Sequence, residues 1–447
     1  MPGMLSGVLL LGVLWAAMAA SQGRKRATLF SSAHLDDGFP HTPSEVQAWY
    51  AEPDSGLNGA TFNQKGLDAL RMPDRGPSPI PIFGNAEIPP PNVAVPEPMR
   101  SDIGALVRSN QIALQYFKQG SKFEVNRYSV DLSAGVDTLF THVELLKRSS
   151  VLLELAALFH ADAQVAQQAA EDLEVGLALA DSLKSEPAVG AQVIRTLGVT
   201  RSVTALEQCL NRCFLPGESL TRLAQALHRM EEFDARGEGF NRALAAERAN
   251  CLALLTDPDK LLLALSIPGG TSTKAAVSQL AHRLEKQPTL ELEAQFFKQA
   301  VRRILAARDR EFPERLQSDF VARDELAAAR SRKLTALEAV LPPFAGRAIQ
   351  EGECLAELRL GATAVALEQY RRAHDNRYPD TLSALSPEYL PATPVDPFQG
   401  RILVYQKKGL GYTLRSPEAQ SGLGRHSQIR PRGLLIEVFA PPNPRSR

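Results

Sequence analysis

The chain has 447 residues, 44% of them hydrophobic and 22% charged, which is room for two or three domains of ordinary globular composition. Its 50 Lys and Arg equal its 50 Asp and Glu, so a net charge of zero supplies no global field to draw it to nucleic acid or to an anionic membrane. Aromatic residues make up only 6%, and a core built on Leu and Ala favours helices.

Met4 to Ala20 reads MLSGVLLLGVLWAAMAA, uncharged and strongly apolar. As a helix it would span ~26 Å, at the short limit for a bilayer core of ~30 Å. Ala17-Met18-Ala19 has the small-x-small form of a signal-peptidase site. No Lys or Arg precedes the run and Arg24-Lys25-Arg26 follows it, a pattern that favours keeping that end inside. Residues 1–23 are therefore expected to be a signal peptide or membrane anchor. The alternatives are an anchor with a cytoplasmic body and a buried core helix.

Residues 24–100 read as a Pro-rich strap with short helices. Thr42-Pro43-Ser44-Glu45 is a helix start, with Pro in the first turn behind a Thr cap and Val46, Trp49 and Tyr50 on the apolar side. A second short helix is expected over Asn63 to Leu70. Pro73 to Pro98 includes Pro89-Pro90-Pro91 and reads as extended, polyproline-like chain. Ile80, Ile82, Phe83, Ile88 and Val93 would be wasted on a free linker, so this stretch is expected to lie along the helical body. A Pro-rich recognition ligand is the alternative.

Residues 101–345 form the expected helical body. Ile103, Leu106 and Val107 start it on helical spacing, and Tyr128 to Leu132 breaks it. Thr138 to Leu183 has Leu/Ala-rich halves either side of His160-Ala161-Asp162, the pattern of an αα-hairpin. No second copy follows at a 34-residue period, so a regular solenoid is not expected. Further helices are expected over Val189–Leu210, Ser219–Glu232, Phe240–Leu255, Lys274–Lys286, Leu290–Ala307 and Ala322–Leu341. Ser219 is the expected cap of its helix, without the usual Glu three residues on. Phe296, Phe297, Ala300, Val301, Ile304 and Leu305 have core-facing spacing.

Few residues suggest chemistry. Cys209 and Cys213 lie four apart, but no His or Cys nearby completes a metal site. Buried, inert thiols are expected, with pairing to Cys251 or Cys354 as the alternative. Pro268 to Lys274 is reminiscent of a phosphate loop, but Thr273 stands where the motif needs Gly and Ala275 where it needs Ser or Thr. His374 and Asp375 beside Tyr378 read as a helix end whose C-terminus favours imidazolium. Glu351, Glu353 and Glu357 read as a solvated face. No catalytic residue, cofactor or metal is expected.

Residues 346–447 divide into a helix running to about Asp375, stopped at Asn376, and a stretch with five prolines between Pro379 and Pro397. The runs ILVYQ and GYTLRS flank Lys407-Lys408-Gly409 as a β-hairpin, and Leu434 to Phe439 reads as a last strand. This C-terminal module resembles the globular end of type II secretion pseudopilins. The likeness is carried by Tyr378, Pro379, Leu382, Leu385, Tyr389, Leu390, Pro391, Pro394, Asp396, Pro397, Phe398, Gly400, Tyr405, Gly411, Tyr412, Leu414 and Ser416. The resemblance implies the module's fold. It implies no calcium, because Pro417 to Gly422 offers one carboxylate where calcium wants several oxygens. With TPSEVQAWY and RYSVDLSAGVDTL, the whole also resembles an uncharacterised family of bacterial envelope-associated proteins.

The expected fold is mainly α, an irregular multi-helix array of αα-hairpins with a small C-terminal α+β module. The expected function is that of a non-enzymatic protein of the bacterial cell envelope, membrane-tethered or exported, acting as a protein-interaction scaffold. Its expected partner is an envelope protein, with membrane contact through Met4 to Ala20 if that run is uncleaved, and neither nucleic acid nor a small-molecule ligand is expected. The alternatives are a hydrolase-like enzyme with a site between helices and an accessory of a secretion apparatus.

Overall fold

In the computed structural model, residues 38–51, 53, 56–73, 80–83, 86–257, 259–262, 289–417 and 434–439 are described. The fold is mainly α, with a small antiparallel sheet near the C-terminus. Helix α1 (Pro43–Trp49) begins as its sequence predicts, with Thr42 Oγ1 accepting from the Glu45 N–H at 3.2 Å. Short helix α2 (Ala60–Asp68) packs on α4 (Gln111–Gly120). Between α3 (Glu97–Ser109) and α4, the buried Asn110 amide donates to the carbonyls of Arg71 and Leu106 and accepts from the Arg71 N–H.

The expected αα-hairpin is present as α5 (Thr141–Asp162) and α6 (Ala166–Asp181). His160 Nδ1 lies 2.6 Å from Asp172 Oδ2 across it. Helix α7 (Val189–Arg212) packs on both, closely enough that a Cβ on Gly198 would lie 2.8 Å from Ala180 Cβ. Glu154 and Arg201 bridge α5 and α7 at 2.6 Å. Helices α8 (Gly217–Arg236) and α9 (Glu238–Thr256) meet at Gly237, whose φ of 73° suits a residue without Cβ. Ser219 does not cap α8: the helix starts two residues earlier behind Pro216, and the buried Ser219 hydroxyl accepts from Arg222 instead.

A second core forms where α9 meets α10 (Thr289–Arg308), α11 (Gln317–Ser331) and α12 (Thr335–Val340), with Phe297, Val301 and Ile304 inward as their spacing predicts. The single helix expected over Ala322 to Leu341 is two, broken at Lys333, which takes a left-handed φ of 58°. Helix α13 (Arg347–Ala373) packs on α7 and α8. The expected helix over Lys274 to Lys286 and the loop at Pro268 to Lys274 lie outside the described residues.

The Pro-rich strap is fixed to the body through its main chain. Arg212, ending α7, donates to the carbonyls of Pro90, Pro91 and Val93, and the Val95 N–H donates to Asp162 at 3.2 Å. The contacted stretch is not the extended, polyproline-like chain expected: the Val93 N–H donates to the Pro90 carbonyl at 2.9 Å and closes a turn, whose outward carbonyls Arg212 then gathers.

In the C-terminal module, strands β1 (Val404–Lys408), β2 (Gly411–Arg415) and β3 (Leu435–Val438) form one sheet in that order. The DPFQG turn ahead of it is organised by Asp396, fully buried, whose carboxylate accepts from the N–H groups of Phe398 and Gln399 and from the Ser416 hydroxyl. The outer edge of β3 is closed by α7. Glu207 accepts from the Glu437 N–H, and Asn211 both donates to the Glu437 carbonyl and accepts from the Phe439 N–H, each at 2.9 Å. Two helical side chains thus stand in for a fourth strand, and the tail is docked on the body.

The expectation of a transmembrane, membrane-tethered chain is corrected. Among the described residues no helix is long and apolar enough to cross a membrane. The reason is charge: α13, at 27 residues, carries Glu351, Glu357, Arg359, Glu368 and Arg371. The apolar run Met4 to Ala20 lies outside the described residues.

Candidate functional site

The described residues that the sequence singled out are tied into the fold. Cys209, Cys213, Cys251 and Cys354 are free and buried; burial pushes the Cys213 thiol up to about 12 and the other three well above 9, so none is a ready nucleophile. His374 ends α13 with Nδ1 2.8 Å from the Tyr370 carbonyl and its ring stacked on Tyr370 at 3.8 Å. Asp375 and Asn376 follow in left-handed conformation, which completes the expected stop. Tyr378 is buried against Glu368, itself held by Arg371 at 2.8 Å.

The solvated face expected from Glu351, Glu353 and Glu357 is not there. Glu351 is 1% exposed and bridges Arg308 at 2.9 Å and Arg315 at 3.4 Å. Glu357 is 2% exposed. Glu353 is half-buried, and burial pushes its carboxyl up to about 7. Helix α13 is covered on several sides, so a carboxylate spacing that suggests one wet face instead reaches several neighbours.

The feature with the geometry of a binding site lies elsewhere. A groove of about 440 Å³ runs between the turn after α4, helix α6 and helix α8. Ala178 from α6, with Ala226 and Phe233 from α8, line it with half-buried apolar surface over the core residues Leu177 and Met230. Its charged lining combines Lys122, Lys184, Arg222 and Arg229 with Glu124, Glu174 and Asp181. On α8, Arg222, Ala226, Arg229 and Phe233 follow the i, i+4, i+7, i+11 spacing of one face.

One wall is fixed from behind. Arg195, 2% exposed, bridges Asp234 at 2.6 Å and Asp181 at 3.2 Å, and its guanidinium lies 5.2 Å from the Phe233 ring centre. Burial opposes the Arg195 charge, but Asp234 and Asp181 outweigh it and hold the guanidinium above its ordinary range. Asp181 and Phe233 are therefore held by a permanently charged, buried partner.

Of the other charged groups, Lys184 is paired to Asp181 at 2.8 Å and Arg222 to Glu174. Glu174 Oε2 takes Arg222 at 2.9 Å, while its buried Oε1 has no hydrogen-bond partner. Lys122 and Arg229, both exposed, make no ion pair with any described residue. An apolar wall beside two exposed, unpaired cations suits an extended or helical peptide with acidic side chains next to an apolar anchor. Neither His nor Cys lines the groove, so the hydrolase-like reading gains no observation from it.

None of these groove residues stood out in the sequence. The stripe on α8 was readable, but the residues facing it lie some forty to a hundred positions earlier, in α6 and after α4. No family model, curated protein or solved structure matches the chain.

Proposed function

We propose that this protein is a non-enzymatic scaffold that binds a segment of a partner protein along the α6–α8 groove. The observation that carries the reading is the pairing of a half-buried apolar wall, Ala178, Ala226 and Phe233, with two exposed cations, Lys122 and Arg229, that make no ion pair with any described residue. An apolar anchor in such a groove supplies most of the affinity, and charges at its rim set register and orientation. The segment that fits carries one or two large apolar side chains flanked by Asp or Glu. An address in the bacterial envelope and a kinship of the tail with pseudopilins belong to this reading on sequence grounds, through Met4 to Ala20 and Tyr378 to Ser416.

The test is selection of a displayed random-peptide library on the purified chain. Enrichment of acidic peptides with Leu, Phe or Trp anchors, lost when Lys122→Glu and Arg229→Glu are combined, supports the groove. Selected peptides that bind the doubly reversed chain equally well would place binding elsewhere and overturn the assignment.

A further inference from the structure

The sheet of the C-terminal module is closed on one edge only. Side chains of α7 cover β3, but β1 is the other outer strand, and its Val404, Gln406, Lys407 and Lys408 are exposed. Lys408 and Gly411 close the two-residue turn Gly409-Leu410, so Lys408, Gln406 and Val404 direct their main-chain groups to β2. Leu403, Tyr405 and Lys407 then direct theirs away from it. The Leu403 N–H donates to the Pro394 carbonyl at 3.1 Å, and Val395 bridges Ile402, which fills the edge up to that point. Among the described residues no main-chain group pairs with the outward N–H and C=O of Tyr405 and Lys407.

An open edge accepts another strand. Lysines on such an edge usually repel one, but here both are balanced within the chain. Lys407 Nζ lies 2.8 Å from Asp380 Oδ1, and Lys408 Nζ lies 2.8 Å from Glu437 Oε1. The sequence of β1 suits a second copy of itself running antiparallel. Centred on Gln406, a two-fold axis pairs Tyr405 of each copy with Lys407 of the other, so all the free main-chain groups meet in about four hydrogen bonds. It sets Val404 beside Lys408 and opposes no like charges. The neighbouring centres that keep outward groups facing each other fail. One on Lys407 opposes two lysines. One on Tyr405 sets Lys407 against Leu403, whose N–H is already taken. The free edge ends where Pro394 begins, and the incoming strand turns away at the same point, at Gly409. Its Leu410, 79% exposed, then comes beside Ile402, 57% exposed, and the axis makes that apolar contact twice.

We propose that β1 pairs with β1 of a second copy about a two-fold axis at Gln406, joining two three-stranded sheets into one. The contact is independent of the α6–α8 groove. A five-residue edge buries less than the ~1,200 Å² of a stable interface, so a weak dimer with a Kd on the order of 10 µM is expected.

Sedimentation of the full chain at concentrations either side of that Kd should show monomer passing to dimer. Gln406→Cys is the direct probe, because the four native thiols are buried and residues at the centre of such a pair lie ~4.5 Å apart, within disulfide reach. It should oxidise to a dimer at least tenfold faster than Leu410→Cys, which is exposed as well but lies about 25 Å from its copy. Lys407→Pro removes an outward N–H and leaves the bonds to β2, so it should weaken the dimer at least tenfold, with thermal melting confirming that it folds. If it does not fold, the two cysteine variants decide the matter alone. A chain that stays monomeric, as it would if the edge served a strand of another protein, would overturn the proposal. So would equal crosslinking from both cysteines, or an unweakened dimer in folded Lys407→Pro. Each of these would leave peptide binding at the groove untouched.

Discussion

In the C-terminal module the Asp396 carboxylate receives three donors, Glu368 is shared between Arg371 and Tyr378, and the open edge of β3 is closed by Glu207 and Asn211. In the α6–α8 groove, Lys122 and Arg229 face solvent without a carboxylate among the described residues. The tail is not perfect, since the buried Tyr412 hydroxyl also lacks a partner. The difference is still one of kind. Polar groups of the tail are spent on holding the tail in place, whereas Lys122 and Arg229 of the groove remain for an outside ligand. Satisfied networks identify architecture, and unsatisfied ones beside apolar surface identify candidate sites.

That contrast can be broken by mutation, and the largest effects belong to the tail. Arg371→Met strands Glu368 in a buried position and should cost about 3–5 kcal/mol in urea denaturation; a change below ~1 kcal/mol would mean that the pair is not buried in solution. Asp396→Ala removes three hydrogen bonds from a buried turn and should cost about 2–4 kcal/mol. Proteolysis should then cut first near Ser416, and an unchanged cleavage pattern would remove Asp396 from its organising role.

A third effect depends on pH. Burial raises the Glu353 carboxyl from 4.5 to about 7, so the folded chain holds that proton more tightly than the unfolded chain. Its contribution therefore turns against folding as pH rises from about 4.5 through about 7. Allowing for its partial exposure, the loss is about 1–2 kcal/mol. Glu353→Gln should melt higher than the unaltered chain at pH 8 and close to it at pH 5, and parallel melting curves across that range would show that the carboxyl is solvated. The smallest effect belongs to the groove. Lys122→Glu with Arg229→Glu should change stability by no more than about 0.5 kcal/mol, since neither cation supports the fold. A large loss of stability would make them structural and erase the distinction.

Much of the fold was legible because its signals are local. Thr42-Pro43 starts α1, Asn376 follows α13, and Gly409 turns the hairpin, each through the conformational preference of a single residue. Leu/Ala periodicity gave the helices of the body but not the break at Lys333, where no Gly or Pro announces the left-handed turn. The carboxylates of α13 were misread for a related reason. Spacing says which residues share a face, and the chain's tertiary packing decides whether that face is wet. The groove was illegible altogether, because Lys122, Glu174 and Arg229 become neighbours only once α4, α6 and α8 have packed.

The most direct test of the central claim is photocrosslinking in the cells that make the chain, with the reactive residue at Gln225 in the groove or at Leu410 on the exposed turn between β1 and β2. The groove reading predicts a discrete adduct from Gln225, absent when Lys122→Glu and Arg229→Glu are introduced, and none of the same mass from Leu410. An adduct formed only from Leu410, or one from Gln225 that survives the charge reversal, would contradict it.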